Sequence, residues 1–510
     1  MKKIYLSLML VLGLGFLTSC EMDKKPFGSL DETTAIQNVN DLSRFRAGVY
    51  TSLRGMNAGG WITNQDIQMD QFHGLISNGN RVGTFSNGLI TSSDGDIESM
   101  FASCYGSIAK ANYLIDKSAE MVASGLYEGT DLASINRFKA EGHFLRAFSY
   151  FFLADHFSQP YAEVDATQPG TGAMIVTKYN PSGDINSYPS RSSLADTYAL
   201  IESDLQAAYA GLVEYEEVDA SNVAPNAHYL SSYAVAAMQA RVALVKGDYA
   251  TAFAKAKSVI DSKVYTLATL ENYADMWIND LNDEVIMLAF MSKEEGLAST
   301  GGAYTASTTE TSADYIPTFA TLANFPDGDV RFDTYFKVWG LDIEGSTYGA
   351  YVFLKYPGNP ALRTTEDNNY VNMPKIFRLS EMYLIAAEAG LYNSATLAEA
   401  NAYFNHFCSQ RIDGYMANNY SAEQLLTAVM GERERELLGE GFRMSDLRRW
   451  NLGFQRYPNY DYVNPALNGV VVAAGREMTY ANDDYRFTWP IPKTEMDSNP
   501  NLKGQQNAGY

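Results

Sequence analysis

Cysteine and histidine are scarce in this chain. It has 3 cysteines and 5 histidines among 510 residues. Cys104 and Cys408 lie far apart, and two such cysteines do not make the framework of a disulfide-stapled fold. We expect each to pack in the core as a small hydrophobe, while a single bridge between them stays open. The histidines are scattered rather than paired at the spacing of metal ligands, which argues against a metal site.

Positively charged residues are also scarce. The chain has 38 Lys and Arg against 60 Asp and Glu, so its formal net charge is −22. No run rich in Lys and Arg interrupts this acidity. Because nucleic-acid binding depends on cations that neutralise phosphates, nucleic acid is not an expected partner.

The usual catalytic fingerprints are missing. The sequence contains no G-x-S-x-G, H-E-x-x-H, G-x-x-x-x-G-K-[ST] or C-x-x-C motif, so no common hydrolase, metal or nucleotide signature is present. Two acidic turns, around Asp94 and around Asp329, offer oxygen ligands at alternate positions. Neither completes a calcium-binding loop. We interpret both as turns and predict neither a cofactor nor a metal.

The amino terminus has the pattern of an export signal. Two lysines precede an apolar run of 14 residues, 4–17, which is too short to span a bilayer and is typical of a signal-peptide core. The run ends in L-T-S-C, which is similar to a bacterial lipobox. We predict that residues 1–19 are a lipoprotein signal peptide, that Cys20 carries the lipid, and that residues 20–40 form the tether. An ordinary secretory peptide is the alternative.

Apolar residues recur at helical spacing in separate blocks. The blocks are 42–53, 101–121, 135–157, 194–212, 229–245, 249–260, 379–391, 397–407 and 422–438. In the segment 233–260, Gly247 ends one helix, and Ala252 and Ala256 lie one turn apart on the next, which is typical of a tetratricopeptide hairpin with Tyr249 in the pair interface. The pattern predicts a mainly α fold of such hairpins, with long irregular loops and a few short strands.

Long stretches rich in Gly, Asn, Ser, Thr and Tyr separate the helical blocks. They are 57–96, 159–193, 292–363 and 453–484. Structureless segments of this length are uncommon in compact domains unless they have a function. The chain also has 35 Tyr, 25 Phe and 5 Trp, and rings with one polar edge suit binding surfaces. We therefore expect a ligand site in these stretches.

Several segments carry a family resemblance together. They are the lipobox, 137–161, 376–389, 430–450 (MGERERELLGEGFRMSDLRRW) and 485–510. In this order they resemble the signatures of the SusD/RagB family of nutrient-uptake outer-membrane lipoproteins, over essentially all of the mature length. We interpret the alternating charges of 432–436 as partners of Arg443, Arg448 or Arg449 in a helix junction. A general acid/base pair of carboxylates is the alternative.

The resemblance implies a fold and a partner. It implies four tetratricopeptide-like pairs capped by loops, with 41–225 and 226–510 as the amino- and carboxyl-terminal regions of one intertwined body. It also implies a TonB-dependent outer-membrane transporter (SusC-like). On that transporter the lipoprotein would sit as a lid at the extracellular face of the outer membrane and deliver a nutrient, usually a glycan.

The candidate binding residues follow from the chemistry of sugars. A carbohydrate needs aromatic rings against its C–H faces and amides or carboxylates against its hydroxyls. Trp61 follows two glycines, with Asn64 and Asp66 nearby, and Tyr304 and Trp339 lie in the third long stretch. We predict these five residues as ligand contacts on exposed loops. The alternative for each is a residue packed onto the helices.

The leading hypothesis is a non-enzymatic glycan-binding lipoprotein that passes its ligand to the transporter. Peptides or glycopeptides as ligands are one alternative. A surface glycosidase with two carboxylates is another. A scaffold whose helical hairpins grip a peptide is the third.

Overall fold

The protein is mainly helical, as predicted. A computed structural model describes residues 35–77, 81–218, 220–295, 298–305, 309–457 and 464–510. Cys20, the predicted signal peptide and most of the predicted tether lie outside these residues. Lipidation of Cys20 therefore stays a prediction.

Every predicted apolar block is helical. The helices are α1 Val39–Gly55, α2 Gly60–Gln68, α3 Gly83–Ser86, α4 Gly95–Ala123, α5 Gly129–Phe157, α6 Leu194–Val218, α7 Ser232–Lys246, α8 Tyr249–Asp261, α9 Tyr273–Ile278, α10 Gly301–Thr305, α11 Phe319–Ala323, α12 Val330–Tyr335, α13 Leu379–Leu391, α14 Leu397–Ser409, α15 Ala422–Glu436, α16 Arg443–Arg449, α17 Ala473–Arg476 and α18 Lys493–Ser498. The long helices α4, α5 and α6 pack side by side, and α1 crosses α5.

The strands are short and pair two by two. They are β1 Phe72–Gly74, β2 Val285–Leu288, β3 Tyr315–Pro317, β4 Phe336–Ile343, β5 Ser346–Phe353, β6 Lys375–Arg378, β7 Phe454–Arg456 and β8 Met478–Tyr480. The antiparallel pairs are β1–β3, β2–β6, β4–β5 and β7–β8. Of these, β4–β5 is a regular hairpin whose tip, Glu344 and Gly345, has φ angles of 50° and 80°, as a two-residue turn requires.

Three of the four stretches predicted as irregular contain regular elements. Stretch 57–96 holds α2, β1 and α3, stretch 292–363 holds elements from α10 to β5, and stretch 453–484 holds β7, α17 and β8. The sequence pattern does not predict helix α2, because its polar side chains are buried and hydrogen-bonded and do not form an exposed polar face. For example, Gln68 accepts a hydrogen bond from the Trp489 indole at 2.9 Å. Stretch 159–193, by contrast, contains only short 3₁₀ turns.

The hairpin of α7 and α8 is confirmed. Gly247 has a φ of 86° and ends α7, and the side chain of Asp248 caps α8. Ala252 and Ala256 are fully buried, where small side chains allow close helix approach. The predicted position of Tyr249 is wrong, because its ring stacks at 3.7 Å on Tyr392, beyond the end of α13. Tyr249 therefore joins two hairpins, and its helix α8 packs against α13.

The two cysteines of the described chain are buried and unbridged, Cys104 in α4 and Cys408 in α14. The interpretation of the acidic turns is also confirmed. Asp94 caps α4 through Asp96 N, and Asp329 caps α12 through Arg331 N. Among the described helices, none is both long and apolar enough to cross a membrane.

Candidate functional site

A groove of about 410 Å³ lies between the start of α2 and α10, within the range of roughly 300–1,000 Å³ typical of ligand pockets. We name it the Asn64 groove, and its lining residues are Gly59, Gly60, Thr63, Asn64, Arg81, Val82, Asp96, Ser299, Gly302, Ala303 and Asp314. One wall comes from stretch 57–96 and the other from stretch 292–363. The two stretches that contain the five predicted contact residues therefore meet.

Gly59 fixes how α2 starts at the groove. Its φ of 58° and ψ of −133° form a combination that residues with a side chain avoid. In this conformation the Gly59 amide donates to the Thr300 hydroxyl oxygen at 2.9 Å. Since Thr300 directly precedes α10, this bond ties the two walls of the groove together.

Charged and amide groups dominate the polar lining. Arg81 forms an ion pair with Asp314, and the arginine side chain is 55% exposed while the aspartate is 1% exposed. Burial, and then the neighbouring Asp94, raise the pKa of Asp96, whereas a hydrogen bond from the Asn64 amide lowers it. Guanidinium, amide and carboxylate groups at one surface suit a ligand rich in hydroxyls.

Among the predicted contact residues, Asn64 lines the groove although only 2% of it is exposed. Asp66 and Tyr304 are fully buried and join α2 to α10, because the Tyr304 hydroxyl donates to Asp66 Oδ2 at 3.2 Å. Burial raises the pKa of Asp66 to about 8, against the opposing effects of the Gly441 N–H and the Tyr304 hydroxyl. The expectation that Tyr304 is an exposed loop ring is wrong, and ligand contact by either residue stays a prediction.

The two predicted tryptophans lie outside this groove. Trp61 is half-buried in α2, with its ring centroid 4.6 Å from that of Phe152. Trp339 lies in β4 at 6% exposure and lines a second cavity of about 260 Å³, which we name the Trp339 cavity. The expectation that both rings project from loops is wrong, because burying a large ring against neighbouring rings is more favourable than leaving it in water. Their contact with a ligand stays a prediction.

Sequence reasoning missed several groove residues. Arg81, Ser299 and Asp314 line the groove but stand in no recognisable motif, and Asp96 belongs to the acidic turn around Asp94, for which no ligand was predicted. A run of Asn and Gly before Arg81, which is typical of a turn that projects a side chain, was the one available signal.

A second concentration of charge is closed to solvent. We name it the arginine junction, and it consists of Glu284, Arg331, Arg378, Arg411, Glu432 and Glu436. Arg411 Nε lies 3.0 Å from Glu436 Oε2, and Arg378 Nη1 lies 2.6 Å from Glu436 Oε1. Burial opposes ionisation, but Arg411, Arg378 and Arg331 hold the pKa of Glu436 well below its usual value.

The interpretation of 432–436 as a structural junction agrees with this geometry, but its predicted partners need correction. Only Glu434 pairs with one of the three named arginines, Arg443, at 3.2 Å. Arg448 and Arg449 bind carboxylates elsewhere. Glu432 also pairs with Arg435, one helical turn away. The sequence could not indicate Arg331 as a partner of Glu432 or Arg378 as a partner of Glu436, because both arginines come from segments far away in the chain.

Comparison with known proteins places this fold in a family. A model of the SusD family matches residues 341–510. A second family model, described as "Starch-binding associating with outer membrane", matches residues 22–244. SusD-like protein P38 of Formosa agariphila is 22% identical over 100% of this chain and 99% of its own length.

Solved structures agree. A SusD superfamily protein from Bacteroides thetaiotaomicron superposes with a TM-score of 0.76 at 27% identity, covering 92% of this chain and 100% of its own. A putative sugar binding protein from Bacteroides vulgatus gives a TM-score of 0.74 at 26% identity, covering 94% of this chain and 100% of its own. The chain belongs to the SusD/RagB family, as its sequence signatures indicate.

Proposed function

We propose that this protein is a lipoprotein of the outer membrane that binds a carbohydrate at its extracellular face and passes it, unaltered, to a TonB-dependent transporter. The Asn64 groove is the proposed binding site. The observation that carries the proposal is that two separate polar stretches of a SusD-family chain meet at one groove of ligand size.

The chemistry of the groove supports a sugar ligand. Asn64, Asp96, Arg81 and Asp314 combine hydrogen-bond donors with acceptors on facing walls. Glycines and Ala303 leave the backbone accessible between them. Sugar hydroxyls both donate and accept, so a wall that offers both kinds of group can bind adjacent hydroxyls of one ring.

The family matches point to the same ligand class. One matching family is described as starch-binding and as associating with the outer membrane, and one structural neighbour is titled a sugar binding protein. The L-T-S-C sequence at Cys20 supports a lipid anchor, and several acyl chains on one residue bind a membrane durably.

The carboxylates of the arginine junction do not support the glycosidase alternative. A glycosidase acid must reach its substrate and must hold its proton near neutral pH. Glu432 and Glu436 are buried, are bonded to arginines, and have lowered pKa values. A binding role therefore has the stronger support.

The experiment is calorimetric titration of the protein, expressed from residue 21 onward, with neutral oligosaccharides of starch, cellulose, xylan, laminarin and mannan. We expect saturable binding to at least one, reduced about tenfold by Asn64→Ala and unchanged by Glu423→Gln, an exposed residue of α15. Chromatography of the same mixtures should show the saccharide intact. Released product would favour a glycosidase, and no binding to any of these saccharides would favour a peptide ligand.

Two further measurements test the proposed lipid anchor and the proposed transporter partner. Metabolic labelling with radioactive palmitate should label the full chain and not Cys20→Ala. Purification from the native membrane should recover a TonB-dependent transporter with the full chain. Label retained in Cys20→Ala, or recovery of a soluble protein in place of the transporter, would contradict the proposal.

A further inference from the structure

The Trp339 cavity is separate from the Asn64 groove and has a different lining. Its volume is about 260 Å³. Three rings contribute to its walls, those of Trp277, Trp339 from β4 and Tyr370. The ring centroids of Trp339 and Tyr370 lie 6.4 Å apart. By contrast, none of the described residues that line the Asn64 groove is aromatic. The rings that sugar stacking needs therefore lie at the cavity and not at the groove.

Three charged residues line the cavity. Glu310, Asp333 and Lys337 line it, and all three are exposed. Within the described residues none of the three forms an ion pair, in contrast to the buried Arg331, Lys355 and Lys375, which all do. Free carboxylates beside aromatic rings are the groups that accept hydrogen bonds from the hydroxyls of a stacked sugar.

The backbone holds Tyr370 in place at the cavity. Its φ is 52°, a left-handed conformation that a bulky residue rarely adopts and that the surroundings must stabilise. The Asn368 side chain does so, because its Oδ1 accepts from Tyr370 N at 3.1 Å while its Nδ2 donates to Pro357 O at 2.8 Å. The cavity is therefore formed before any ligand arrives.

The cavity adjoins the groove, because Tyr370 contacts the segment 299–301. The Ser299 hydroxyl, at the groove, lies 2.9 Å from Asn369 O and 2.8 Å from Tyr370 O. A Cβ at Gly301, the first residue of α10, would come within 2.3 Å of Tyr356 O and 3.0 Å of Tyr370 Cβ. Helix α10 thus packs directly on Tyr370 on one side and lines the groove on the other.

We propose that the Trp339 cavity is a second saccharide site, which binds one neutral sugar unit by stacking on Trp339 and Tyr370 and by hydrogen bonds from its hydroxyls to Glu310 and Asp333. The proposal rests on the proposed function for the class of ligand. Two carboxylates and one cation, Lys337, line the cavity. Their net negative charge repels an anionic ligand, so a uronate or a sulfated sugar is disfavoured.

The test compares variants in titrations with the neutral oligosaccharide that binds best and with hexagalacturonate. The cavity variant is the double substitution Glu310→Gln and Asp333→Asn, which changes only exposed side chains. The matched control is Glu344→Gln at the tip of the same β4–β5 hairpin, where the side chain is exposed and does not line the cavity.

We expect the cavity variant to bind the neutral oligosaccharide about tenfold more weakly than the unsubstituted protein does, and the control to bind it within twofold of the unsubstituted protein. We expect the unsubstituted protein to bind hexagalacturonate at least tenfold more weakly than the neutral sugar. We also expect Trp339→Phe to reduce the change in tryptophan fluorescence on binding. Equal affinity of cavity variant and control would overturn the second site while leaving the Asn64 groove, tested by Asn64→Ala, intact. Tighter binding of hexagalacturonate would overturn the neutral-sugar assignment, and no binding of any saccharide would overturn both proposals.

Discussion

The Asn64 groove and the arginine junction place the same kinds of side chain in opposite environments. In the junction every arginine has at least two carboxylate contacts and almost no access to water. In the groove, Arg81 has one carboxylate partner and is half exposed. A paired and buried charge network fixes a packing arrangement, whereas a partly solvated one can exchange water for ligand hydroxyls. The environment, and not the residue type, separates structural from binding charges.

The largest effect is expected from breaking the junction. Glu436→Gln leaves Arg331, Arg378 and Arg411 buried with one carboxylate fewer, so the free energy of unfolding should fall by about 3–5 kcal/mol. Urea unfolding measures this change. Glu423→Gln, exposed in the same helix α15, is the control and should cost less than about 1 kcal/mol. Similar losses in the two variants would show that the junction is not a stabilising network.

The next effect concerns Asp66, which is fully buried in α2. Its pKa is raised to about 8 by burial, so the folded state keeps a proton that the unfolded state releases near pH 4. Stability should therefore fall as pH rises from about 4 to about 8, by about 1.4 kcal/mol per pH unit. Between pH 5.5 and 7.5 the protein should lose about 2–3 kcal/mol relative to Asp66→Asn. Parallel stability curves for the two proteins would contradict the protonated Asp66.

A smaller effect is expected in the helical hairpins. A Cβ added to Gly247, whose φ is 86°, would meet nothing within 4 Å, so Gly247→Ala should cost only its backbone strain, about 1–2 kcal/mol. Gly106 lies inside α4 with equally free surroundings, and Gly106→Ala should instead stabilise by about 0.5–1 kcal/mol. Thermal unfolding of both variants measures the difference. Equal changes in stability in the two variants would contradict the inference that the positive φ of Gly247 favours glycine at the end of α7.

The smallest effect on stability is expected in the groove. Arg81→Lys keeps the charge opposite Asp314 but removes the planar fork of the guanidinium. Because Arg81 is half exposed, the free energy of unfolding should change by less than about 1 kcal/mol. The affinity for a saccharide should nevertheless fall several-fold. A change in stability without a change in affinity would make Arg81 a structural residue like those of the junction.

Much of the helical scaffold could be predicted from the sequence, because its signals are local. Gly247 ends a helix through its own backbone conformation, and Ala252 allows close packing through its own small side chain. Neither effect depends on residues that are distant in the sequence. The charges of 432–436 could also be recognised as structural. The partners of Glu436 could not be recognised, since Arg331 and Arg378 reach it only after the chain has folded.

The site was predicted less well than the scaffold. The two stretches that form the Asn64 groove were found from composition and length, and Asn64 lies in its lining. Trp61, Tyr304 and Trp339 were expected on exposed loops, yet each is a member of a helix or strand. Sequence alone does not show whether an aromatic ring packs inward or faces solvent, because both outcomes use the same residue and the same neighbours.

Hydrogen exchange measured with and without the best-binding neutral oligosaccharide tests whether the Asn64 groove binds the ligand. We expect the ligand to slow exchange in the segments 59–64 and 299–303, the two walls of the groove, and to leave exchange in the junction helix α15 unchanged. Protection confined to α15 and to the segment around Arg331, with the groove walls unaffected, would contradict this expectation.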